Sequence, residues 1–369
     1  EPDRYRPDLA QSLNNLGSQL AAVGRSREAL ETCEEAVTIR RRLVEIEPDG
    51  YRPDLAQSLN SLGINLWEVG RSREALETSE EAVTIRRRLV EIEPDRYRPD
   101  LAQSLNNLGS QLAAVGRSRE ALEATEEAVT IYRGLIAIEP DRYRPYLARY
   151  LNNLGSHLHA VGRSREALEV TEEAVTMRRG LAAIEPDRYR PELALSLNNL
   201  GSHLDAVGRS REALEVTEEA VTIRRGLAAI EPDRYRPDLA NSLHNLGSHL
   251  HAAGRTREAL EVTEEAVTIR RGLAAIEPDR YRPYLANSLQ NLGIYLQEKH
   301  DIEGALIARR EALAVWRACS EKDPQGYEAR YRTEVARLCQ QLDVLGRHDE
   351  AVALGLHAPD SPTRGVNNT

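Results

Sequence analysis

Six histidines crowd the middle of the chain, His157, His159, His203, His244, His249 and His251, and imidazole is the commonest metal-binding side chain. Their spacing argues against that chemistry. On a helix, residues two apart such as His157 and His159 stand about 200° apart around the axis. His244 and His251 would lie roughly 10 Å apart along it, and no His-x-x-x-His pair occurs. Ladders between neighbouring helices, His157/His203/His249 or His159/Asp205/His251, would have to bridge about 8–10 Å. Solvated or packing histidines are the simpler reading, and neither metal nor cofactor is expected. A second set, Asn15, Asn107, Asn153, Asn199, Asn245 and Asn291, recurs at one register, with Ser61 the exception. A carboxamide both donates and accepts, so a column of them suits pairing with an extended peptide backbone. The same column could instead solvate a polar face or bond to the neighbouring helix.

Other candidates read as structural. Arg40-Arg41-Arg42 has the composition of a phosphate patch, but it lies beside Glu34, Glu35 and Glu45, and an outward, solvated face is expected. Catalysis needs one asymmetric set of nucleophile, base and stabiliser. Here the motif residues return many times, and the departures contain no Ser/His/Asp, Cys/His or Gly-rich phosphate arrangement, so a non-enzymatic protein is expected. The net charge is −10 with both signs mixed throughout, which gives no support for nucleic-acid binding. No apolar run is long enough to cross a bilayer, so no membrane partner is expected. Three cysteines, Cys33, Cys319 and Cys339, are odd in number and fall in apparent helices, which points to a reduced, cytoplasmic setting.

The elements that must position these residues are set by a repeat. Glu-Pro-Asp opens at Glu1, Glu47, Glu93, Glu139, Glu185, Glu231 and Glu277, an uninterrupted period of 46 residues, and such a period marks a solenoid of stacked units. Within the first unit Leu9, Leu13, Leu16 and Leu20 form a helical stripe after Pro7. Gly24-Arg25 breaks the pattern, and Ser26 is placed to cap a second helix. The unit is thus expected to be a helical hairpin, a first helix over about 7–23 and a second over about 26–46, ended by Pro48. Gly17, Ala29 and Ala36 are small where the two helices should approach. Tyr5 of the Tyr-Arg-Pro motif, and its equivalents, are expected on an inter-repeat loop.

Leu13, Leu16-Gly17, Leu20, Gly24, Ala29 and Ala36 stand at the spacings of the tetratricopeptide repeat signature. The longer unit and its NNLG…GRSREALE wording most resemble the repeats of kinesin light chains, and are similar to bacterial arrays attached to signalling ATPases or caspase-like proteases. The resemblance covers nearly the whole chain. It implies an all-α, right-handed superhelical solenoid of helix-turn-helix repeats, and places the side of the first helix opposite its leucines on a concave groove. Gln11, Asn15, Ser18 and Ala22 lie on that side. Departures gather there or on its flanks, including Ile64, Trp67, Glu68, Arg149, Leu195, Asp205 and Ile294. Groove candidates for binding a ligand are therefore Asn15, Asn107, Asn153, Asn199, Asn245, Asn291, Trp67, Arg149, Leu195, Asn241 and Asn287.

The expected organisation is seven repeats over 1–322 (1–46, 47–92, 93–138, 139–184, 185–230, 231–276 and 277–322). A degenerate capping repeat follows over 323–357, and a disordered tail over 358–369. The chain starts in phase with the repeat and without Met, and it reads as a piece of a longer protein whose preceding part would cover the first repeat. The function expected is binding of a protein or peptide, as the sensor or adaptor region of a larger, bacterial, cytoplasmic signalling protein. Self-association by end-to-end stacking of near-identical repeats is the alternative.

Overall fold

The computed structural model describes residues 5–356. Among them the structure is all-α, with no strand, and divides into two units, one up to Glu192 and one from Leu193. The first unit holds α1 (Arg6–Ala22), α2 (Ser26–Ile46), α3 (Pro48–Glu68), α4 (Ser72–Ile92), α5 (Pro94–Ala114), α6 (Ser118–Ile136), α7 (Pro140–Ala160) and α8 (Ser164–Ile184), and ends within α9 (Pro186–Ala206). The second continues through α10 (Ser210–Ile230), α11 (Pro232–Ala252), α12 (Thr256–Ile276), α13 (Pro278–Glu298), α14 (Ile302–Lys322), α15 (Pro324–Val344) and α16 (His348–Leu356). Within each unit successive helices pack against one another in chain order. Each unit is a solenoid of helix-turn-helix repeats. The segment 358–369, expected to be disordered, lies outside the described residues. No helix among those described is long and apolar enough to cross a membrane.

The leucine stripe does what its spacing predicts. Leu55, Leu59, Leu62 and Leu66 of α3 are all buried, and they meet Leu30, Val37 and Ala75 from the second helices on either side. Burial of each such side chain contributes about 1.5–3 kcal/mol, and the pattern renews at every interface. Hairpin turns close through glycine at positive φ, such as Gly24 at 77° and Gly70 at 81°, a conformation that costs glycine little. In the seventh repeat His300 takes φ 62° at that place.

Three local expectations are corrected. The first helix starts earlier than about residue 7 of the repeat: α3, α5, α7, α9, α11 and α13 begin at the proline of Glu-Pro-Asp, leaving a single residue such as Glu93 as the link to the preceding helix, or three, Ala137 to Glu139, before α7. Proline suits that first position because its missing N–H would be unpaired there in any case. The Tyr-Arg-Pro motif therefore lies inside the helix, and Tyr97, Tyr143, Tyr189, Tyr235 and Tyr281 are buried. The preceding arginine covers each ring, as Arg96 does Tyr97 at 5.0 Å, a cation–π contact. Lastly, Ser26 does not cap α2. The capping position is Arg25, with no side-chain cap, and its guanidinium instead binds Glu28, Nε to Oε1 2.7 Å.

Glycine inside the first helix has the role its recurrence suggested. A Cβ on Gly109 would stand 2.5 Å from Thr125 Oγ1 and 3.1 Å from the Ala121 carbonyl oxygen, so α5 and α6 meet at a distance alanine would not allow.

Candidate functional site

The side of the first helix opposite the leucines is open. Gln11, Asn15, Ser18 and Ala22 of α1 are exposed, as are Arg149, Ser156 and Ala160 of α7, and Leu195 of α9 is 44% exposed. The expected binding residues share this face without all being free to bind. Asn15 accepts from Gln11 Nε2 at 3.0 Å. Half-buried Asn107 and Asn153 donate from Nδ2 to the neighbouring first helix, to Asn60 Oδ1 at 3.2 Å and Asn106 Oδ1 at 2.9 Å. Asn291 donates to Ser248 Oγ at 3.4 Å. Asn199 and Asn245 are half-buried. Asn241 is exposed but accepts from Arg270 Nη2 at 2.9 Å. Asn287 borders a hollow of about 300 Å³ with Gln290, Trp316 and Arg330. Trp67 is half-buried against the apolar cluster beneath α3. Arg149 lies over the rings of Tyr146 and Tyr150, at 5.9 and 5.0 Å, and donates to the Tyr150 hydroxyl at 3.1 Å.

Beneath this face runs a polar layer that the sequence reading missed. Arg40 is 2% exposed, so the outward placement expected of Arg40-Arg41-Arg42 is wrong at its first member. Its Nη1 donates to the Asp54 carbonyl and to Ser58 Oγ, both at 2.6 Å, and its Nη2 to Gln11 Oε1 at 2.7 Å. One guanidinium thus joins α2 to the first helix of its own repeat and to that of the next. Arg86 repeats the arrangement with Asp100, Ser104 and Gln57, and Arg270 with Tyr284, Ser288 and Asn241. Ser104 Oγ also donates to Asn60 Oδ1 at 3.1 Å, and at the same position the first asparagine of each Asn-Asn pair, Asn14, Asn106, Asn152 and Asn198, is buried. Burial lowers the pKa of Arg178 and Arg270 to about 10, and both remain cationic near neutral pH. Arg41, by contrast, is exposed and pairs with Glu81 of the next repeat at 2.6 Å, a surface contact of small energy.

Where the repeat departs, the layer changes as a set. Tyr132 replaces the buried arginine, and Tyr150 replaces the serine it would bind. Their rings meet edge to face at 4.8 Å, and Tyr146 stacks on Tyr132 at 5.8 Å. In the seventh repeat Trp316 takes the arginine position and Glu334 the serine position, where Glu334 accepts from Gln290 Nε2 at 2.6 Å.

The histidines are mainly packing groups. His157 Nδ1 lies 2.9 Å from Thr125 Oγ1, His249 Nδ1 lies 3.0 Å from Thr217 Oγ1, and burial lowers the pKa of both rings. His251 stacks on Tyr295 at 4.6 Å and pairs with Glu298 at 2.8 Å. Among the described residues no three His, Cys, Asp or Glu side chains are placed to hold a metal ion. His244 Nδ1 contacts Ser288 Oγ at 3.2 Å, and burial, with the Arg270 charge adding to it, brings its pKa down to about 4. Because the folded ring resists protonation, the native state binds fewer protons than the unfolded one between about pH 6.5 and 4, and stability falls as pH falls through that window. His244→Gln, which installs the residue found in the next repeat as Gln290, is expected to flatten this dependence. Urea midpoints at pH 7.5 and 5, compared between variant and parent, check it.

A family model described as tetratricopeptide repeat matches residues 8–88, and a second with the same description matches residues 239–274. No curated protein matches the chain. Among solved structures it is similar to BtubC (BKLC) from P. vanneervenii, with a TM-score of 0.53 and 23% identity over 66% of this chain and 90% of that one. It is also similar to a Rap protein complexed with Competence and Sporulation Factor, with a TM-score of 0.52 and 13% identity over 94% and 95% of the two chains. A putative kinesin light chain with nearly identical TPR-like repeats, from Podosopora anserina, gives a TM-score of 0.46 and 24% identity over 62% of this chain and 98% of that one. Both family matches fall in phase with the 46-residue period, and the paired-helix stack is the fold of the first two structures. Each unit is therefore a stack of tetratricopeptide-like helical hairpins, with tetratricopeptide repeats matched at residues 8–88 and 239–274.

Proposed function

We propose that this array is a non-enzymatic recognition module that grips an extended protein or peptide segment along the open face of its first helices, as the sensor or adaptor part of a larger cytoplasmic signalling protein. The observation that carries this reading is the return of one half-buried polar register within each unit, at Asn107 and Asn153 in the first and at Asn245 and Asn291 in the second, with buried Ser61 the exception. A ligand with its own repeat, such as a peptide backbone, meets such a surface many times, whereas a small molecule meets it once. Arg149, exposed and without an ion pair among the described residues, and Leu195 give the fourth and fifth repeats side chains that discriminate between segments. The Rap structure offers support by analogy, since a hairpin stack of this fold is seen there complexed with Competence and Sporulation Factor.

The test is selection from a displayed library of random dodecapeptides, followed by titration of the best binder. Asn153→Ala/Asn199→Ala and Arg149→Ala are each expected to weaken it at least about tenfold, a loss of about 1.4 kcal/mol. Failure to select any peptide, or unchanged affinity in both variants, would overturn the reading. End-to-end association has one observation in its favour: Leu9 and Leu16 are 47% and 45% exposed, while their equivalents Leu55 and Leu62 are 4% and 8% exposed. Leu9→Glu/Leu16→Glu would abolish such stacking and leave peptide binding intact.

A further inference from the structure

The far ends of the second helices carry a surface that peptide binding does not use. Ile46, Ile92, Ile138, Ile184, Ile230 and Ile276, at or just beyond those ends, are each 65–79% exposed. Four residues before the last four of them stand Gly134, Gly180, Gly226 and Gly272, where the first two repeats have Arg42 and Arg88. Glycine within a helix is unfavourable. Here no positive φ requires it, and an added Cβ at any of the four would meet nothing within 4 Å. Beside Ile276 the surface opens into a hollow of about 640 Å³, lined by Pro237, Ile269 and Gly272, with Asp233, Arg236 and Glu277 at its border.

Ile276 and the apolar hollow beside it lie on one patch of the same chain, a knob and a hole that a second copy related by a two-fold axis would match. The border carries both signs of charge, so a copy turned end for end brings Arg236 toward the partner's carboxylates, whereas a uniformly charged partner would meet repulsion. A lipid surface would accept the isoleucines but not the carboxylates beside them. We propose that this face docks a second copy of the chain in a two-fold, antiparallel arrangement, each copy's Ile276 entering the hollow beside the other's Gly272, with Ile230 flanking the contact.

Sedimentation velocity of the full chain from about 1 to about 100 µM tests this. The expected result is a concentration-dependent rise to twice the chain mass. Ile230→Glu/Ile276→Glu, and separately Gly272→Arg, should each raise the dissociation constant at least about tenfold with helical circular dichroism unchanged. Gly272→Arg installs the residue type native at Arg42 and Arg88 on a position facing open space, so folding is preserved. A strictly monomeric parent, or self-association that survives both variants, would overturn the proposal. Loss of association only in Leu9→Glu/Leu16→Glu would overturn it in favour of end-to-end stacking. Peptide binding along the open side of the first helices is measured separately from these outcomes, so the two readings fail separately.

Discussion

Arg86→Met is expected to destabilise the second and third repeats by about 3–5 kcal/mol. The methionine fills most of the volume but leaves Gln57 Oε1, Ser104 Oγ and the Asp100 carbonyl without the donor that served all three. A buried acceptor stripped of its partner costs about 1–3 kcal/mol. Release of a buried charge, whose burial already lowers the Arg86 pKa, offsets part of the sum. Repeat arrays lose cooperativity when one interface is weakened, so the measurement is amide hydrogen exchange resolved along α4 and α5. A change below about 1 kcal/mol would show that the buried guanidinium breaks even with an apolar side chain. The chain contains its own control. At the next interface Tyr132, Tyr146 and Tyr150 replace the arginine, the acidic residue and the serine together. Arg86→Tyr/Asp100→Tyr/Ser104→Tyr should therefore recover to within about 1.5 kcal/mol of the parent, as volume-matched repacking does, although Arg86→Tyr alone does not.

Gly109→Val and Gly180→Ala should move stability in opposite directions. At Gly109 the new Cβ would fall 2.5 Å from Thr125 Oγ1. That hydroxyl is not free to turn aside, since it donates to the Ala121 carbonyl at 2.8 Å and meets His157 Nδ1 at 2.9 Å. The helices must separate, breaking this contact and loosening the leucines around it, and a loss of about 3 kcal/mol or more is expected, at the upper end of overpacking costs. At Gly180 a Cβ meets nothing within 4 Å, and alanine should add about 0.5–1 kcal/mol through helix propensity. Urea denaturation of the two variants against the parent checks both signs. Equal, small effects would mean that α5 and α6 can separate at Gly109 without cost, against the close-packing argument.

The contrast between these two glycines shows how far the sequence could be read. The recurrence of Gly17 in mid-helix, beside Ala29 and Ala36, was enough to place the close approach, because a costly residue repeated at one register needs a packing reason. Gly180 recurs in the same way, yet its side faces solvent. The signal for the buried arginines was present but indirect. Tyr132 and Trp316 replace Arg40 only where Tyr150 and Glu334 replace Ser58, and paired exchange of large aromatics belongs to an interior. Read one repeat at a time, Arg40 looked no different from Arg41, although one is buried and the other pairs at the surface.

The amino-acid sequence by itself determined the hairpin, its period and its leucine seam, because these follow from spacing along a single helix and from turn residues that act locally. Which of two adjacent asparagines faces the next repeat, and which of three arginines is enclosed by it, was decided by tertiary packing. The reason is physical: a polar side chain on the flank of a helix becomes buried or exposed according to where the neighbouring helix lies, and that depends on contacts between residues 14 to 47 positions apart, which periodicity within one helix does not encode.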